Sequence, residues 1–93
     1  MAQVRPAADI DYLLDYLLRH WSSIPQVEQE WPTWDPIDQE VFHLEWAVKE
    51  DRLAQLEQYL KAGALTPLQL ARFEDLGHLI AQNRPILERL LNQ

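Results

Sequence analysis

Residues 51–82, DRLAQLEQYLKAGALTPLQLARFEDLGHLIAQ, are the stretch whose reading decides the fold. Leu53, Leu56 and Leu60 recur at spacings of three and four with Tyr59 beside them, so they share one helical face. Lys61 stands where the end of a helix favours positive charge. Gly63 follows, suited to the left-handed residue that stops the helix. Thr66 offers a hydroxyl N-cap, Pro67 a preset φ at the first helical position, and Gln69 the reciprocal partner of a capping box. Leu70, Phe73, Leu76 and Ile80 then repeat the same spacing. The expectation is an αα-hairpin whose arms face each other through these stripes, with the rest of the chain packed on it. Gly77 costs about 1 kcal/mol against alanine inside a helix. Lying beside Leu76, it is expected to mark the close approach of a neighbouring helix.

Upstream, residues 1–8 read as a frayed lead-in, with Pro6 holding them out of the helix and Asp9 as N-cap. Ile10, Leu13, Leu14, Leu17, Leu18 and Trp21 form a broad helical face, and Asp15 and Arg19 are spaced to pair on the outside. Prolines 25, 32 and 36 keep regular structure short over residues 22–35, which read as an ordered arm because Ile24, Val27, Trp31 and Trp34 are too apolar for a free linker. Asp35-Pro36 starts the next helix by the logic of Thr66-Pro67. Ile37, Val41, Leu44 and Val48 make one stripe there, and Phe42 and Trp46 a second, rotated face that runs on into Leu53. Either one long helix crosses residues 47–51, buried on two sides, or it bends there; the polar run Lys49-Glu50-Asp51-Arg52 favours a bend, with Asp51 capping a fresh helix.

Downstream, Pro85 predicts a break at residues 83–85 and a short last helix carrying Ile86, Leu87, Leu90 and Leu91. No strand-like alternation occurs. The fold class is therefore all-α, a bundle of four or five helices in one domain of 93 residues.

Charge is unevenly spread. The net charge is −7, and residues 9–45 hold nine acids against one base, Arg19, whereas residues 46–93 hold six of each sign. Such a surface repels phosphate backbones and anionic lipid, so neither nucleic acid nor membrane is an expected partner. The first ten residues carry no apolar leader run, and the chain is expected to be cytoplasmic. Cysteine is absent, which removes disulfides and thiolate chemistry.

Catalytic residues do not assemble from this inventory. Ser22, Ser23, Thr33 and Thr66 lack a nucleophile-elbow context, and two glycines make no phosphate loop. Glu40 and His43 match one Glu-x-x-His step of a carboxylate-bridged metal bundle, but the second step is missing, since Glu74 and His78 stand four apart. No enzyme activity, cofactor or metal is expected. Among the four tryptophans, Trp21 and Trp46 read as core. Trp31 and Trp34 sit in the proline-rich arm among Glu28, Glu30 and Asp35; either they plug the arm onto the bundle, or at least one of them is an exposed aromatic anchor inside an acidic rim. These five residues are the candidate binding site for a basic protein partner, as in an antitoxin, an inhibitor or an accessory subunit. The alternative is a self-associating helical bundle, a homodimer formed through apolar faces that exceed one small core.

Overall fold

Pro36 and Pro67 each open a long helix, because proline's fixed φ suits a first turn whose N–H groups have no intrahelical partner. The computed structural model describes residues 6–92. In chain order they form α1 (Pro6–Ser22), α2 (Ile24–Glu30), a 3-10 turn (Trp31–Thr33), α3 (Pro36–Lys61) and α4 (Pro67–Leu91), with no strand among them. The architecture is all-helical and is dominated by three long helices. Pro6 belongs to α1 rather than to a lead-in, and Asp9 lies in the first turn instead of capping it. Residues 1–5 of the expected lead-in lie outside the described residues.

The turn at the centre of the sequence forms as its residues dictate. Gly63 has φ +71, the Gly63 N–H donates to the Leu60 carbonyl, and the Ala64 N–H donates to the Tyr59 carbonyl. That pair of bonds is a Schellman motif, and it satisfies carbonyls the helix end would otherwise leave open. Three residues later the Gln69 N–H donates to the Thr66 hydroxyl while the Gln69 side chain accepts from the Thr66 N–H, the reciprocal capping box. Asp35 caps α3 by accepting from the Ile37 N–H at 2.8 Å.

The arms of this hairpin do not pack chiefly on each other. α1 lies against both α3 and α4, and α2 lies against α4. Ile10, Leu14, Leu17 and Trp21 of α1 are fully enclosed, together with Ile24, Leu56, Leu76 and Leu87 from the other helices. The molecule is flattened, 44 × 31 × 17 Å, so α3 has a packed side toward α1 and an outer side that no other described element covers.

Two expected breaks are absent, and the cause is the same for both. Phe42, Trp46, Lys49, Leu53, Leu56 and Leu60 follow one another by alternating steps of four and three, and this row is the packed side of α3. Lys49 is simply its polar member, so the run 49–52 interrupts polarity but not phase, and α3 is one continuous helix. On α4 the packed row is Gln69, Phe73, Leu76, Ile80, Asn83, Leu87 and Leu90, again in alternating steps of four and three. Pro85 falls on the exposed side of that row, as does Ala81, whose carbonyl loses the N–H a non-proline residue at 85 would donate. The row crosses the proline unbroken, so no separate last helix forms. An average step of 3.5 residues is the spacing of a coiled-coil seam.

The expected arm over residues 22–35 is also mostly helical. Pro25 and Pro32 stand in the first turns of α2 and of the 3-10 turn, where proline is tolerated. Gly77, expected at a helix crossing, is exposed, and a Cβ built on it would meet nothing within 4 Å. The expected Asp15–Arg19 pair gives way to a pair between Asp15 and Arg72 of α4.

Candidate interaction surface

All four tryptophans belong to one continuous aromatic chain. Trp21 meets Trp46 edge-on at 5.2 Å between ring centroids, and Trp46 stacks with Phe42 at 5.4 Å. Phe42 meets Trp31 at 5.4 Å and Trp34 at 5.8 Å, and Trp31 and Trp34 lie 5.4 Å apart. Stacked and edge-to-face aromatic pairs each add about 0.5–1.5 kcal/mol to plain burial. Trp31 is buried, with 4 % of its surface exposed, and its carbonyl accepts from the Gln39 side chain at 3.0 Å. Trp34 is half-buried at the rim. The aromatic pair proposed from sequence therefore divides: Trp31 supports, and Trp34 keeps a face toward solvent.

The acids of that stretch divide as well. The Glu28 carboxylate accepts from Arg89 of α4 at 2.8 Å, Glu30 accepts from Gln26 at 2.6 Å, and Asp35 is occupied as the cap of α3. Arg72 of α4 pairs with Asp11 and Asp15, and Arg84 pairs with Glu50 at 3.4 Å. The bases of α4 thus pair with acids of α1, α2 and α3. Asp38, Glu40, Glu45 and Asp51 of α3 have no such cation among the described residues.

Between those unpaired acids lies an apolar row that the core does not use. Ile37, Val41, Leu44 and Val48 are exposed by 73, 43, 65 and 47 %. At 100° per residue they fall within about 60° of arc on α3, the N-terminal half of its outer side. Glu40 and Asp51 border the row on one side, Asp38 and Glu45 on the other. Beside it, Trp34, Asp38, Val41, Phe42 and Glu45 line a hollow of about 310 Å³. Isolated exposed leucines are ordinary on protein surfaces, but a contiguous apolar row within a charged border marks an interaction site. The sequence showed the stripe plainly. Two stripes on one helix cannot both face a single flat neighbour, and the structure assigns Phe42 and Trp46 to the core and Val41 and Leu44 to the outside.

A larger hollow, about 650 Å³, lies between α1 and α3, with Asp9, Tyr12, Arg52 and Tyr59 in its wall. There the Tyr59 hydroxyl donates to Asp9 at 3.2 Å, and desolvation together with that carboxylate raises the phenol's pKa. Lys49, almost fully buried, lies over the rings of Trp46 and Tyr16 at 5.4 and 6.0 Å. Burial lowers its pKa and outweighs the opposing pull of Glu45. His20 stacks on Tyr16 at 4.5 Å; burial, then Lys49 and Arg19, lower its pKa against the opposite influence of Glu45. His43 lies 6.3 Å from the Trp31 ring, and no three metal-ligating side chains converge among the described residues.

No protein-family model matches the chain, and no curated protein or solved structure matches it. No described helix is long and apolar enough to cross a membrane.

Proposed function

We propose that this protein is an interaction module that docks on a more basic protein, in the manner of an inhibitor, an antitoxin or an accessory subunit. The observation that carries this reading is the exposed row Ile37, Val41, Leu44 and Val48 set between acids that form no ion pair among the described residues. Apolar area supplies affinity on desolvation, and the acidic border selects a positively charged surface and speeds encounter with it. Trp34, half-buried at the end of the row and beside Asp35, belongs to the same docking surface, with Trp31 bracing it from behind. Glu28 and Glu30 extend the acidity along α2. Because α3 is capped, long and packed along one side, the face is ordered before binding, which lowers the entropy cost of docking.

The test is affinity purification from native cells of the tagged chain and of its Leu44→Glu variant. Leu44 is well exposed, so the variant keeps the fold, as circular dichroism would verify. Basic proteins retained by the parent and lost by the variant are the expected result. Retention indifferent to Leu44→Glu sinks the reading.

The same row supports a second reading, self-association through α3. Sedimentation distinguishes it: a parent dimer that Leu44→Glu splits into folded monomers favours it. Charge counts against it, because two copies would bring acidic borders face to face at a net charge of −7 each.

A further inference from the structure

Resting on that docking reading, we infer that the partner presents a single amphipathic helix of about three turns. It has basic flanks and one large apolar side chain that seats in the hollow between Trp34, Val41 and Phe42. The row from Ile37 to Val48 runs about 16 Å along α3, at the 1.5 Å rise per residue of a helix. Its positions step by four, three and four residues. A second helix laid alongside offers anchors at matching intervals and satisfies its own backbone internally. An extended segment would need a strand edge to bond its backbone groups, and no strand occurs among the described residues. A broad, flat partner surface would contact this row but leave the recess beside it empty.

Charge fixes the rest of the partner. Acids border the row on both sides, Glu40 and Asp51 on one and Asp38 and Glu45 on the other, so both flanks of the incoming helix face negative charge. Lysine or arginine on each side of its apolar stripe answers that arrangement. The bases of α4 that could neutralise these acids are committed elsewhere: Arg72 to Asp11 and Asp15, Arg84 to Glu50, Arg89 to Glu28. The hollow of about 310 Å³ supplies the anchor site, with aromatic and aliphatic walls and the Asp38 and Glu45 side chains in its lining. A leucine, methionine or phenylalanine seated there becomes desolvated against Trp34 and Phe42, as hot-spot side chains are.

Three synthetic peptides of about five turns test this on the full chain: a leucine–lysine amphipathic helix, the same leucines with glutamate for lysine, and a scrambled leucine–lysine sequence. Calorimetry should show the first binding roughly tenfold or more tighter than the scrambled peptide, and the glutamate peptide not binding. Amide and indole shifts should move at residues 37–48 and at Trp34. Leu44→Glu and Val41→Glu, folded by circular dichroism, should weaken the first peptide by about tenfold or more. Equal binding of ordered and scrambled peptides, or shifts confined to other helices, overturns the inference. If no peptide binds while Leu44-dependent retention of a basic protein persists, the helical partner falls and the docking reading stands. If retention is also indifferent to Leu44, both fall.

Discussion

Asn83 offers the sharpest test of how the three long helices are tied. Proline at position 25 has no N–H, so the Trp21 carbonyl near the end of α1 loses the donor a continuing helix would supply. The Asn83 side chain on α4 donates to that carbonyl at 3.0 Å, inside the core. Removing the donor leaves a buried acceptor unsatisfied, at about 1–3 kcal/mol, so Asn83→Ala should lower the melting temperature by on the order of 10 °C for a chain of this size. Asn83→Asp keeps the shape but points a carboxylate at a carbonyl oxygen. Burial and that contact raise the aspartate's pKa in the folded state, so the unfolded state binds fewer protons in the window between the two values. Stability is then held at low pH and lost as pH rises through the folded pKa. Against the parent at each pH, Asn83→Asp should be worst at neutral pH and recover on acidification, while the deficit of Asn83→Ala stays flat. Urea unfolding at several pH values reads both. An Asn83→Ala variant within about 0.5 kcal/mol of the parent, or a pH-independent Asn83→Asp deficit, refutes the reasoning.

Three further outcomes are expected. Gly77→Ala should stabilise by about 0.5–1 kcal/mol, because the position is helical, exposed and open to a Cβ, and thermal melting would show the gain. Pro85→Ala should also stabilise, by up to about 3 kcal/mol, since it restores an N–H and removes a clash on the exposed side of α4, and denaturant midpoints measure it. Lys49→Met should raise stability at neutral pH by removing a buried charge that has no carboxylate within ion-pair distance among the described residues. With Lys49's folded pKa below 10.5, the unfolded chain holds more protons between the two values, so the parent gains stability as pH rises through that window and the variant should not.

Short-range chemistry made much of this fold legible. Thr66, Pro67 and Gln69, like Asp35 and Pro36, act on atoms a few residues away, so their caps formed as read. Gly63 stopped α3 for the same reason. The face of α1 was likewise explicit, because its apolar residues recur with one period over three turns.

Continuity was harder to read. Lys49 and Pro85 are local arguments for a break, but a helix persists when its packed row keeps phase and the neighbouring helix holds both halves. The alternating steps of four and three through Lys49 and Asn83 were present in the sequence. On α3 the row through Lys49 is legible but the polar run 49–52 argues for a bend across it, and on α4 Pro85 masks the row. The candidate site followed the same division: the stripe Ile37–Val41–Leu44–Val48 and its acids are sequence facts, whereas its exposure is not. Only the placement of α1 between α3 and α4 decided that Phe42 and Trp46 face inward, that Trp31 is covered, and that Val41 and Leu44 face solvent. Periodicity says which residues share a side of a helix, but which side meets a neighbour is settled by where that neighbour lies.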